Sequence, residues 1–156
     1  EFHFGQDAAG RPSWTGQVIQ DFAHRWGLEM RELPPLPPLH GFLTGAIDLI
    51  ARSHGRYYII DWKSNFLGNK IHNYHEDALL WAIMDHHYFL QYTIYTMALH
   101  RYLSLRLPGY NYSEHFGGIY YLFVRGLSTT QEDHDYGVFY DYIPEKTINR
   151  LNTIVR

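Results

Sequence analysis

The stretch Asp48-Leu49-Ile50-Ala51-Arg52-Ser53-His54-Gly55-Arg56-Tyr57-Tyr58-Ile59-Ile60-Asp61-Trp62-Lys63 decides how this chain folds. Two runs rich in aliphatic and aromatic residues flank Ser53-His54-Gly55, a turn signal with glycine where a positive φ is needed. The segment predicts a hairpin of two strands, Phe42 to Ala51 and Arg56 to Lys63. With His54 and Gly55 as the loop, Ser53 faces Arg56, Ile50 faces Ile59 and Asp48 faces Asp61. Opposed residues on antiparallel strands share a face, with Cβ atoms about 4.5–5.5 Å apart. Lys63, two residues beyond Asp61, lies on that same face. A symmetric lengthening of the loop keeps this register, and a single bulge breaks it.

Opposed aspartates repel, aspartate is a poor strand former, and on an inward face each carboxylate loses hydration. A divalent cation compensates for all three, since hard oxygen ligands suit Mg²⁺ or Mn²⁺. Lys63 beside it could hold a water or stabilise negative charge developing on a phosphate. On geometry alone, a solvent-facing edge with an Asp61–Lys63 ion pair of little energetic worth stands level with the metal site.

Outward from the hairpin, Ser13 to Trp26 carries Val18, Ile19, Phe22 and Trp26 at helical spacing, with Ser13 placed as N-cap. Glu1-Phe2-His3-Phe4 reads as a strand end. Leu33-Pro34-Pro35-Leu36-Pro37-Pro38-Leu39 is held extended by its prolines, and a stiff connector is favoured over a polyproline ligand. Glu76 to about Arg106 predicts helix, broken around Asp85-His86. Gly117 to Arg125 suits a strand buried on both faces. Val138 to Tyr142 predicts a short last strand, and Pro144 opens a C-terminal helix. This order is that of an α/β domain with a mixed central sheet flanked by helices.

The 156 residues are 46% hydrophobic and 17% aromatic, enough for one domain with a substantial core. A net charge of −3 argues against a free-standing duplex binder, which is normally basic. If the chain handles nucleic acid, a metal site or a larger assembly must offset its acidity. The absence of cysteine removes disulfides, thiol nucleophiles and cysteine-type zinc sites together. No uncharged apolar run approaches the roughly 18 residues of a membrane span.

Gly41-Phe42-Leu43-Thr44-Gly45-Ala46-Ile47-Asp48-Leu49, followed by Gly55 to Asn65 and Leu67-Gly68, closely resembles the RecB-type nuclease domains of the PD-(D/E)xK superfamily. The resemblance continues through Leu90-Gln91-Tyr92-Thr93-Ile94-Tyr95, Ala98 to Leu103 and His115 to Gly126. It implies a restriction-endonuclease-like core. It also implies that Asp48, Asp61 and the backbone carbonyl of Trp62 hold a catalytic metal and that Lys63 is the catalytic lysine. Gln91 and Tyr95 match a Gln-x-x-x-Tyr motif, whose i, i+4 spacing puts both on one helix face, where they would orient the lysine, the attacking water or the DNA backbone. The implied cofactor is Mg²⁺, with Mn²⁺ substituting and Ca²⁺ binding without supporting cleavage. The implied partners are single- and double-stranded DNA ends, RecC- and RecD-like subunits and the RecA recombinase, in the bacterial cytoplasm and without a membrane.

Such sites also use a histidine from a helix upstream of the sheet, and nothing here matches it. Residues 1–156 are therefore expected to be one nuclease domain cut from a longer chain, the helix lying upstream and Glu1 carried as an auxiliary site residue. A catalytically silent docking module and a stand-alone restriction-like or junction-resolving endonuclease stay open as rival readings. His72 and His75, or His86 and His87, lack the partners of a structural zinc site and are expected to be surface or packing residues. Tyr58 and Trp62, on the strand face opposite Asp61, are expected to pack in the core.

Overall fold

The computed structural model describes residues 14–29, 33, 45–129 and 136–154. The hairpin forms in the predicted register: β1 (Leu49–Ser53) and β2 (Arg56–Lys63) pair antiparallel, with Ser53 opposite Arg56 and Ile50 opposite Ile59. His54 and Gly55 turn the chain at φ values of 48° and 82°, the left-handed geometry that matches the twist of the strands. β1 is shorter than the strand predicted from Phe42. Residues 45–48 are irregular, and residues 42–44 lie outside the described residues. At the end of the ladder a side chain takes one of its donors, and a second anchors the irregular segment. The Asp48 carboxylate accepts from the Trp62 N–H at 3.0 Å, and the Ala46 carbonyl accepts from the Tyr95 hydroxyl at 2.7 Å.

β2 runs parallel to β3 (Phe116–Phe123), and β3 antiparallel to β4 (Val138–Asp141), giving the order β1-β2-β3-β4. A parallel pair needs a long crossover, which contains α2 (Glu76–Asp85) and α3 (Tyr88–Arg106). His86 and His87 divide the two helices where the break was expected, His87 in the left-handed region at φ 54°. α1 (Trp14–Trp26) and α5 (Glu145–Ile154) match their predicted spans closely. α4 (Tyr112–His115) was not anticipated; it is a single turn capped by the Asn111 side chain, which accepts from the Glu114 N–H. β3 ends two residues earlier than predicted, in a 3-10 turn over Val124–Gly126. Ser13, the Glu1 to Phe4 segment and every proline of the Leu33 to Leu39 stretch lie outside the described residues. No helix among the described residues is long and apolar enough to cross a membrane.

Strand alternation places Ile59, Asp61 and Lys63 on one face with Ile119, Tyr121, Phe123 and Phe139, and all seven are buried. Helices cover this face: Phe22 of α1 stacks on Phe89 of α3 with centroids 4.6 Å apart, and Trp26 stacks on Phe139 at 5.1 Å. The opposite face carries a row of tyrosines, Tyr58, Tyr120 and Tyr140. The expectation that Tyr58 and Trp62 fill the core is corrected, since Trp62 is 48% exposed and Tyr58 only half-buried. The face bearing Asp61 is the core face because α1 and α3 pack over it, Trp26 against Phe139 and Tyr92 against Tyr121.

A second polar cluster ties the layers together. Arg25 of α1 pairs with Asp21 and, at 2.8 Å, with Asp141 of β4. The Tyr92 hydroxyl of α3 donates to the same Asp141 carboxylate at 2.6 Å, and Thr147 of α5 donates to Asp21 at 2.7 Å. Removing one partner from a buried ion pair leaves an uncompensated charge and costs about 3 kcal/mol. Arg25→Ala is therefore expected to lower the unfolding free energy by about that amount in urea titrations. A loss under about 1 kcal/mol would show that the cluster behaves as a solvated surface pair.

Candidate active site

Asp61 and Lys63 end β2 on its buried face, with relative exposures of 2% and 9%. The two charged side chains are held there by one another and by the groups around the lysine. Lys63 Nζ forms an ion pair with Asp61 Oδ1, donates to Gln91 Oε1 at 3.0 Å, and sits 4.1 Å and 4.5 Å from the ring centroids of Tyr88 and Tyr121. A cation over aromatic faces is attracted by their quadrupoles, more strongly where water is excluded.

Gln91 links the lysine to the start of the hairpin. Its Oε1 also accepts from the Tyr121 hydroxyl at 2.7 Å, its amide donates to the Tyr95 hydroxyl at 3.0 Å, and Tyr95 in turn donates to the Ala46 carbonyl. The helix-face pair thus grips Lys63 with one end and the backbone two residues before Asp48 with the other. Burial, with the nearby Asp61 and Asp48 charges, raises the Tyr95 hydroxyl above its ordinary pKa against the opposing hydrogen bond from Gln91. Burial likewise raises that of Tyr121, with Asp61 adding to the effect. Both phenols are therefore donors at neutral pH, as the direction of the chain of bonds requires.

Asp48 sits one position past the last ladder pair, Leu49 with Ile60, outside the strand in which the predicted register places it opposite Asp61, and its charge still acts on Asp61. Burial raises the Asp61 pKa above 3.8. Lys63 opposes that shift, and the Asp48 charge adds to it. Beyond the lysine ion pair, no hydrogen bond reaches Asp61 Oδ1 among the described residues. The N–H and C=O of one strand residue point to the same side. Because the Trp62 N–H binds Asp48, the Trp62 carbonyl is directed to that side as well, where β1 has already ended. A buried carboxylate oxygen short of partners, a second carboxylate and a carbonyl at the ladder end form an all-oxygen donor set that fits a divalent cation. Among the described residues no group of three or more His, Cys, Asp and Glu side chains is placed to hold a metal.

The five side chains singled out from the sequence, Asp48, Asp61, Lys63, Gln91 and Tyr95, converge at this end of the sheet; Glu1 lies outside the described residues. Sequence reasoning missed Tyr88 and Tyr121. Tyr88 was within reach, since positions 88, 91 and 95 recur at helical spacing along one face. Tyr121 was not, because its place beside Asp61 comes from the parallel β2–β3 pairing. His86 stacks on Tyr88 and His87 lies against Phe89, both as packing groups.

Residues 6–152 match the model of the PD-(D/E)XK nuclease superfamily. The chain is 43% identical over 116 residues to the RecBCD enzyme subunit RecB of Haemophilus influenzae, covering 74% of this chain and 9% of that protein. It is 48% identical over 107 residues to the RecB subunit of Escherichia coli K12, covering 63% of this chain and 9% of the relative. Against the RecB subunit of Mycobacterium tuberculosis H37Rv it is 39% identical over 107 residues, covering 65% and 10%. The chain therefore spans about a tenth of the length of these relatives. With the family model matched along nearly its whole length, on a mixed sheet that brings the two aspartates and the lysine together, the chain belongs to the PD-(D/E)XK nuclease superfamily.

Proposed function

We propose that this chain hydrolyses DNA phosphodiesters with Mg²⁺, as the nuclease module of a RecBCD-type helicase-nuclease in double-strand break repair and DNA degradation. The observation that carries the reading is the buried Asp61–Lys63 pair meeting Asp48 at the end of the β1–β2 ladder. Asp48, Asp61 and the Trp62 carbonyl would hold the cation, which when bound would supply Lewis-acid polarisation of the scissile phosphate and an activated nucleophile. On this reading Mn²⁺ would substitute for Mg²⁺, and Ca²⁺ would bind without supporting cleavage.

The protein's own part is placement. Lys63 Nζ, fixed between two tyrosine rings and Gln91, orients a water or meets negative charge developing on the phosphate without having to reorganise. Gln91 and Tyr95 couple that lysine to the backbone leading into Asp48, so the two sides of the site keep their spacing. DNA ends, RecC- and RecD-like subunits and RecA are the partners this reading assigns, in the bacterial cytoplasm. Residues 1–156 would act as one module of a longer chain.

The test is cleavage of linear single-stranded DNA by wild type and Asp61→Ala, with Mg²⁺ and with chelator. Wild-type cleavage that needs the metal and disappears in the variant supports the reading. Cleavage that persists in Asp61→Ala removes the site from the reaction, and no cleavage by wild type under any divalent metal returns the chain to a docking role.

A further inference from the structure

Two loops leave the sheet beside Lys63 and are pinned to a single buried residue, Tyr74. After β2, the Tyr74 hydroxyl donates to the Asn65 carbonyl at 3.3 Å and accepts from the Leu67 N–H at 3.2 Å. Asn65 is held a second time, its side chain accepting from the Tyr88 hydroxyl at 3.2 Å. After β3, Gly126 lies so close to the Tyr74 side chain that a Cβ there would come within 2.4 Å of Tyr74 Cβ. The backbone on either side of Phe66 and beside Arg125 is thereby tethered. Phe66, between the two tethered positions, is turned outward with 63% of its surface exposed. Arg125 donates from Nε to the Ser64 carbonyl at 3.0 Å, one residue past Lys63, and its guanidinium carbon lies 5.9 Å from the Phe66 ring centroid. No other hydrogen bond or ion pair engages Arg125 among the described residues.

An aromatic ring presented to water from a tethered backbone forgoes the free energy of its own burial. The same tethering lowers the ordering cost of binding a flat ligand. A fixed cation beside it meets an anion in the same way. Flat ring and neighbouring anion are the two features of a nucleotide in an unpaired strand: a base face that stacks on aromatics, and a phosphate that attracts arginine. The location matters because the chain is acidic and the aspartate pair repels phosphate, so a fixed exposed cation next to Lys63 supplies attraction where the strand must approach.

Resting on the nuclease reading above, we infer that Phe66 and Arg125 form a single-strand subsite in which Phe66 stacks on an unpaired base and Arg125 binds the adjoining phosphate. The test measures the anisotropy of a short fluorescein-labelled oligothymidylate titrated with the chain in Ca²⁺, across a salt series. Arg125→Ala is expected to reduce the slope of log affinity against log salt by about 0.7, the share of one phosphate contact on a single strand, with Arg125→Lys restoring it. Phe66→Ala is expected to weaken binding about tenfold with the slope unchanged, with Phe66→Tyr restoring affinity. On an abasic strand of the same length, Phe66→Ala and wild type should bind alike. Thermal melts check that the exposed substitutions leave the fold intact. Variants that bind like wild type, while wild type binds and cleaves, overturn the subsite and leave the nuclease reading standing; a patch that docks protein gives this result. A wild type that neither binds nor cleaves DNA overturns both.

Discussion

Asp61→Asn is expected to lower DNA cleavage at least about a thousandfold, the scale of a lost transition-state charge contact, while the metal-free protein stays as stable as wild type or gains. The amide preserves the shape and an oxygen facing Lys63, and the lysine keeps Gln91 and the Tyr88 and Tyr121 rings as partners, so it is not left uncompensated as Asp141 is by Arg25→Ala. It removes a carboxylate whose pKa is raised by burial, against the opposing effect of Lys63 and with the help of Asp48. A raised folded pKa means that the unfolded chain gives up its proton first. Wild-type stability is therefore fullest below pH 3.8 as far as this group is concerned, and declines as pH rises through the folded value. The variant lacks that decline. With Mg²⁺ at about a hundred times its Kd, wild type should gain about 2.7 kcal/mol and Asp61→Asn almost nothing. Urea unfolding with and without Mg²⁺, on either side of pH 3.8, reads all of this. A variant less stable than wild type without metal at neutral pH would show that Asp61 serves mainly as the lysine's structural counter-ion.

Lys63→Met should differ in kind. Methionine has a similar unbranched reach and fills the space between Tyr88 and Tyr121, so the core stays packed. Turnover is expected to fall about a hundred- to a thousandfold with little change in KM, since the lysine acts on developing charge and not on the ground-state strand. Metal binding should survive, and the stabilisation by Mg²⁺ should exceed that of wild type. The reason is that losing Lys63 removes the influences that lower the Asp61 pKa and leaves the cation as the remaining compensation for that carboxylate. Single-turnover rates paired with metal-dependent melts separate the two roles. If the Mg²⁺ shift disappears together with the activity, Lys63 is a structural requirement of the metal site.

Much of this site is legible along the chain because the hairpin is local. A two-residue turn at His54-Gly55 sets the register, and the register alone puts Asp48 across from Asp61 and Lys63 beside it. The Gln91–Tyr95 pair is legible for the same reason, since four residues make one helical turn and both side chains point one way. The end of β1 is less so: strand propensity runs on upstream of Leu49, but the Asp48 carboxylate takes the Trp62 N–H that a longer ladder would use, and Tyr95 anchors Ala46 from another element.

The candidate reacting groups and their spacing within each element can be read along the chain, because short-range periodicity and turn geometry are properties of consecutive residues. Only the tertiary structure decided which face of β2 is covered. Alternation states that Asp61 and Lys63 lie opposite Trp62, but it is the placement of α3 over the sheet that buries the charged face and leaves Trp62 in solvent. The parallel register that sets Tyr121 against Asp61, and the anchoring of Leu67 and Gly126 on Tyr74 that brings Phe66 beside Arg125, are decided the same way. Each joins residues separated by a crossover or by whole elements, and contacts of that range come from the packing of the complete core, which no local pattern encodes.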